Sequence, residues 1–263
     1  MRTLSAVFFL GIIRDRVLYG ILVLAGLFIL IPTTSSLSIR QAGELSITLS
    51  FSIISFLLMF LAVVFSSFSV WRDIERRYTS GLLALPVSRV NYILAKFVAN
   101  IAIIALCSLL FAGLTYLTVS YTCSLYPPAT PLVWSNIFLA IFYNMLKYTL
   151  LAAFGILFST VSTSFFLPIF GTVALFFCGS MSQDVYNYLS RSAATDVPLF
   201  IQKLAAVFYY IIPNFSAFDF KLAAIYSLPI NSNDLWLTAG YFVLYTAIVL
   251  FLACFFFNRR ELR

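Results

Sequence analysis

Lys147, with Tyr143 and Asn144 one helical turn before it, is the side chain best placed to do chemistry, because it sits deep inside a long apolar run. A charge at the centre of a membrane helix costs about 2.5–3.5 kcal/mol on the insertion scale, and such residues usually face a bundle interior or a water-filled cavity. An ammonium there would meet an anionic substrate group. The structural alternative is a lysine that snorkels or hydrogen-bonds to a neighbouring helix. Bond-making chemistry has no comparable material. Histidine is absent and the nine carboxylates are dispersed, so the usual zinc, general-base and nucleophile-activating arrangements lack their parts. The chain is therefore expected to be no enzyme and to hold no metal.

A second constellation is an island of charge from Trp71 to Lys96, with Arg72, Asp73, Glu75, Arg76, Arg77, Arg89 and Lys96 set between two apolar runs. Each flanking run is long enough to cross a bilayer, so the island must lie in water. Glu75 to Leu85 is compatible with a short amphipathic helix whose apolar side carries Leu82, Leu83 and Leu85 and which Pro86 ends. Ser88 to Lys96 then leads into the next run. Such a loop is either a docking element for a soluble partner or a solvated loop whose arginines only set topology.

A third pattern occupies the run before the island. Thr48, Ser52, Ser55, Met59, Ala62, Ser66 and Ser69 alternate spacings of four and three, which places small or polar side chains on one stripe of a helix. The stripe suits ordinary packing within the chain, a seam with a second chain, or the wall of a pathway to which Ser52 and Ser55 would contribute.

The elements that hold these residues follow from composition. Hydrophobic residues make up 62% and charged residues 10% of the 263, and the mean hydropathy is +1.03. This is the composition of an integral membrane protein. The formal charge of +7 does not point to nucleic acid, because the basic residues sit at the ends of apolar spans rather than on one soluble face. The cysteines, Cys107, Cys123, Cys178 and Cys254, have neither metal nor disulfide spacing, and three lie in apolar runs where a thiol acts as a small hydrophobe.

A membrane helix needs about 20 apolar residues, and six stretches approach or exceed that, near 17–32, 47–70, 97–120, 133–158, 165–183 and 235–257. The expected fold is an all-α membrane protein of one domain, 1–263, with six transmembrane helices. Before the first span, residues 1–16 mix Leu4, Val7, Phe8 and Ile12 with Arg2, Arg14 and Arg16, as an amphipathic helix at the membrane surface would. Arg14, Asp15 and Arg16 also interrupt any leader-like apolar core, so no segment is expected to be removed.

Charge sets the orientation. With the N-terminus inside, Arg2, Arg14, Arg16, Arg72, Arg76, Arg77, Arg89, Lys96, Arg259, Arg260 and Arg263 are cytoplasmic, against Arg40, Arg191, Lys203 and Lys221 outside. Eleven against four satisfies the positive-inside rule, and both termini are expected in the cytoplasm. The long external loop, 184–234, contains an apolar and aromatic stretch from Pro198 to Ile212. At about 15 residues it is short for a span and reads as a re-entrant or interfacial outer helix. It would close a pathway, contact an external accessory protein, or rest at headgroup level through Tyr209 and Tyr210.

Leu85-Pro86-Val87-Ser88-Arg89, followed by Tyr92 and by Leu94-Ala95-Lys96-Phe97, closely resembles the cytoplasmic loop of ABC-2 type transporter permeases. Two departures stand out: Arg77-Tyr78 occupies the place of the usual Gly-Thr, and Ala95-Lys96 that of the usual Gly-Lys. Ile212-Pro213-Asn214-Phe215, Phe218-Asp219 and the terminal Asn258-Arg259-Arg260-Glu261-Leu262 are similar to the NosY-like branch of the family. The resemblance covers the whole topology.

The resemblance implies a permease subunit of an ATP-binding cassette exporter in the cytoplasmic membrane, dimerising with itself or with a similar permease and powered by two copies of a separate ATPase. Asp73, Glu75, Arg76, Arg77, Leu82, Leu83, Leu85, Pro86, Ser88 and Arg89 would then form the coupling element. ATP and Mg are expected on the partner, since no Gly-x-x-x-x-Gly-Lys-Ser/Thr loop occurs here. The competing class is an ATP-independent secondary transporter, a channel or a structural membrane subunit. A secondary transporter would more often carry inverted repeats and intramembrane carboxylates, and the centres of the apolar runs contain no Asp or Glu.

Overall fold

The computed structural model describes residues 2–75, 88–128, 131–190, 203, 207 and 209–260, and among them every regular element is helical. The chain begins with α1 (Arg2–Ile13) and α2 (Arg16–Leu24). Asp15 separates them and caps the second, its carboxylate accepting from the Val17 N–H at 3.1 Å. A tight 3-10 stretch (Ala25–Leu30) leads into α3 (Ile31–Ser35), which carries Pro32 in its first turn, where a missing N–H is tolerated. A second 3-10 stretch, Ser36–Gln41, connects to α4 (Ala42–Glu75). Next come α5 (Arg89–Leu125), α6 (Trp134–Val161) and α7 (Phe166–Ser190). A short 3-10 turn (Phe215–Phe218), α8 (Lys221–Ile225) and α9 (Ser232–Arg259) complete the described chain.

Six helical stretches are long and apolar enough to cross a membrane: Arg16–Ser38, Ala42–Glu75, Arg89–Leu125, Trp134–Val161, Phe166–Tyr188 and Ser232–Arg259. These are the six regions expected from the apolar runs, with longer bounds. The first span continues past residue 32 because 3-10 turns carry it on to Ser38, whose φ of −125° and ψ of 77° break the helix. At 1.5 Å per residue, α4 (34 residues) and α5 (37 residues) are about 50 and 55 Å long, well beyond the roughly 30 Å hydrocarbon core. Hydropathy marks only their apolar centres.

Helix α6 is the hub, packing against α4, α5, α7 and α9. Its approach to α4 depends on one glycine: a Cβ at Gly155 would overlap the Ser66 side chain. Ser66 itself is fully buried and donates to the Ala62 carbonyl at 2.5 Å. The lower part of the small-residue stripe is thus a close contact within the chain, of the kind small residues make possible between membrane helices. Helix α1 packs on α5, with Phe8 edge-on to Tyr92 at 5.7 Å between ring centroids, while Val7 and Leu10 stay exposed.

Of the outer helix expected at 198–212, only Lys203, Val207 and 209–212 are described, so that expectation lies outside the described residues. The chain turns into the bundle just after it. Phe215, Phe218, Ala224 and Ile225 are buried, and Gly179 on α7 admits the Pro213 carbonyl and the Phe215 ring, which a Cβ there would strike.

Candidate functional site

Two polar constellations stand out, one at the end of the bundle that carries most of the basic residues and one in its interior. At the basic end, Asp73 on α4 and Lys96 on α5 form an ion pair with N and O 2.7 Å apart and side chains only 16% and 12% exposed. Tyr92 donates its hydroxyl to the same Asp73 oxygen at 2.7 Å. Lys96 also lies over the Phe8 ring at 4.2 Å, and Tyr92 stacks on Phe257 of α9. One enclosed carboxylate thereby joins α4 to α5, with α1 and α9 packed around it. Lys147 is accordingly not the sole enclosed ammonium of the chain.

Further ties surround that pair. Arg72 bridges to Asp15 at 3.2 Å. The Ser88 hydroxyl accepts from the Asn91 N–H at 3.2 Å and caps α5. Arg89 donates to the carbonyls of Phe257, Asn258 and Arg260 at 3.4, 2.9 and 3.0 Å. A cation there satisfies the unpaired carbonyls at the end of α9 and opposes the negative pole of its dipole. Arg260 in turn donates to the Thr160 carbonyl near the end of α6 at 2.6 Å, and partial burial lowers its guanidinium pKa from the usual value.

The Ser159 hydroxyl of α6 enters the backbone of α4. It accepts from the Trp71 N–H and donates to the Ser67 carbonyl, both at 2.8 Å. Those two backbone groups would bond each other in an undisturbed helix. The hydroxyl therefore stands in one rung of the ladder, four residues before the end of α4.

Of the residues expected in the docking loop, Asp73 and Arg89 are committed to contacts within the chain and Ser88 to a helix cap. Glu75 ends α4 and is exposed. Arg76, Arg77, Leu82, Leu83, Leu85 and Pro86 lie outside the described residues.

The interior constellation is a cavity of about 400 Å³ bounded by α4, α6, α7 and the inward turn at Phe218–Lys221. Lys147, Asn144, Ser52 and Ser55 all line it. Asn144 donates its amide N–H to the Ser55 hydroxyl at 3.2 Å. The Lys147 ammonium lies 5.3 Å from the Phe176 ring centroid and 5.9 Å from that of Tyr148, within reach of the negative ring faces. Tyr143 is the exception. It is buried, donates its hydroxyl to the Leu235 carbonyl of α9 at 2.9 Å and meets Phe220 edge-on, outside the cavity lining. The upper part of the α4 stripe is therefore a cavity wall, while its lower part packs on Gly155.

Sequence reading missed the cavity's other charges. Asp219 and Lys221, counted among outer-loop residues, line it together with Lys147. Lys221 donates its ammonium to Ser52 at 3.3 Å, and its backbone N–H to Asp219 at 3.1 Å. The signal available was the alternation Phe218-Asp219-Phe220-Lys221, in which the buried Phe218 anchors the segment and leaves the two charges at the cavity rim.

Six membrane-length helices, a cross-tied basic end and a cavity between helices that carries charged side chains define a multi-pass membrane protein, with no group of three or more metal-ligating side chains among its described residues. A family model described as ABC-2 family transporter protein matches residues 9–262, and the chain belongs to that family. No curated protein matches it. Proteins of this family are membrane components of transporters, not catalysts in themselves, and normally work with an ABC ATPase.

Proposed function

We propose that this chain is the permease subunit of an ABC exporter in the cytoplasmic membrane, with its basic end and both termini in the cytoplasm. Two copies of a separate ATPase, which bind the ATP and Mg, power a dimer made with a second copy or with a similar permease. The observation that carries the reading is the family match over residues 9–262. The excess of Arg and Lys at one end supports the orientation, and the resemblance to exporters supports the direction.

In this reading Glu75, Arg76, Arg77, Leu82, Leu83, Leu85 and Pro86 contact the ATPase, while Asp73, Ser88 and Arg89 hold the roots of the loop. Helix α4 carries both the loop and the cavity wall. Twenty residues separate Ser55 from Glu75 within that one helix, a span of about 30 Å. Movement of the loop is passed to the cavity along a single rigid element, and Ser159 and Lys96 transmit it to α6 and α5.

A photo-crosslinking amino acid at Leu83 tests the docking. The expected product, in membranes of the native host, is an adduct with a soluble nucleotide-binding subunit. A fully inserted chain that yields no such adduct contradicts the assignment.

A further inference from the structure

The cavity around Lys147 has a composition that selects a ligand. Its lining carries two ammonium groups, Lys147 and Lys221, and one carboxylate, Asp219. Neither lysine has a carboxylate within 4 Å among the described residues. Asp219 is exposed and Lys221 half-buried at the rim, so the innermost charge is the positive one of Lys147, in surroundings where an uncompensated charge is unfavourable. Neutral hydrogen-bonding groups stand beside it: Ser52, Ser55 and Asn144 line the same space.

The remaining walls are apolar and reach the outer surface of the bundle. Phe177 and Met181 on α7 line the cavity and are nevertheless 50% and 59% exposed. Helix α7 is also the least buried of the six spans. The cavity mouth on this side is thus flanked by side chains that meet acyl chains in a bilayer. A volume of about 400 Å³ lies at the lower end of the range for small-molecule sites, enough for a headgroup and the first part of a tail. A small hydrophilic anion would leave the aromatic walls uncovered, and a cation would add to the positive excess.

We propose that this cavity binds the headgroup of an amphiphile bearing a phosphate or carboxylate, which enters sideways from the bilayer past Phe177 and Met181 with its tail left among the lipids. Lys147 is the counter-ion, Lys221 and Asp219 set the charge at the rim, and Ser55 and Asn144 supply neutral hydrogen bonds. The subsequent fate of the ligand rests on the permease reading given above; its binding does not.

The test uses the purified full chain in phosphatidylcholine nanodiscs, without ATP or a partner. Three diazirine-tagged probes are compared: dodecanoate, dodecyl phosphate and dodecyltrimethylammonium. Either anionic probe, or both, is expected to label cavity-lining peptides of α4, α6 and α7, and the stronger of the two identifies the headgroup. Lys147→Gln is expected to reduce that labelling about tenfold, the loss of one charge-assisted contact, while Lys147→Arg retains most of it. Comparable labelling by the cationic probe, or unchanged labelling of Lys147→Gln, overturns the proposal. Complete displacement of both anionic probes by inorganic phosphate overturns the amphiphile part. Should Lys147→Gln fail to elute as folded protein, the anionic probes against the cationic one on the natural chain decide. Binding is read without the ATPase, so labelling can fail with the transport complex intact, and the complex can be absent with labelling intact.

Discussion

Ser159 of α6 accepts the Trp71 N–H of α4 at 2.8 Å and donates to the Ser67 carbonyl at 2.8 Å, so one hydroxyl bonds both backbone groups of a single rung of that helix. Here the rung lies between the cavity-lining part of α4 and the loop that follows Glu75. In the proposed function, movement at the loop reaches α6 through this serine before it reaches the cavity wall.

Replacing Ser159 by Ala frees Trp71 and Ser67 to bond each other. The cost in global stability is expected to be small, about 1 kcal/mol. Hydrogen exchange of the 67–71 backbone should become slower relative to the rest of α4 as the ladder closes. Exchange that accelerates there instead would mean that the serine bond stabilises the helix rather than loosening it.

The Asp73–Lys96 pair makes a prediction of a different size. Because both partners are largely enclosed, Lys96→Met should destabilise the protein by about 3 kcal/mol through the carboxylate it strands. Asp73→Asn combined with Lys96→Met should cost clearly less than the two single changes added together. Thermal unfolding in detergent provides the double-mutant cycle, and additive effects would show that the pair is not coupled.

At the α4–α6 crossing, Gly155→Ala drives a methyl group into Ser66 and should cost about 1–3 kcal/mol. Ser66→Gly in the same chain should restore much of the loss by clearing both the hydroxyl and its Cβ. Unchanged thermal stability of Gly155→Ala would show that the helices are not in close contact there.

Orientation is tested with single cysteines in a chain whose four natural cysteines are replaced. Cysteine at Asn233, exposed in the first turn of α9, should react with a membrane-impermeant maleimide in intact cells or spheroplasts. Cysteine at Glu75 should react only after permeabilisation. The reverse pattern would invert the topology.

The spans were legible in the sequence because each is a continuous apolar run, a signal that needs no knowledge of neighbours. Lys147, Asn144, Ser52 and Ser55 were also singled out from position alone, and they line one cavity. Tyr143 was not separable from them, since one turn of helix places it near Lys147 in sequence while its hydroxyl turns to Leu235 on α9. Asp219 and Lys221 looked like outer-loop charges because hydropathy assigns a charged segment to water. Their place at the cavity rim depends on the buried Phe215 and Phe218, which hold the segment against the bundle, a tertiary effect. Asp73 and Arg89 likewise read as docking residues because their partners, Lys96 and the end of α9, cannot be inferred from a local charge pattern.

In the proposed function a separate ATPase drives this chain through the loop after Glu75. The most direct measurement is capture of the tagged full chain from native-host membranes, scored for associated ATP hydrolysis and for the number of bound subunits. The account predicts one nucleotide-binding subunit per permease chain, lost when Arg76 and Arg77 are both changed to Glu while membrane insertion is unchanged. A chain captured without any ATP-hydrolysing partner, or a partner fully retained by the charge-reversed variant, would contradict it.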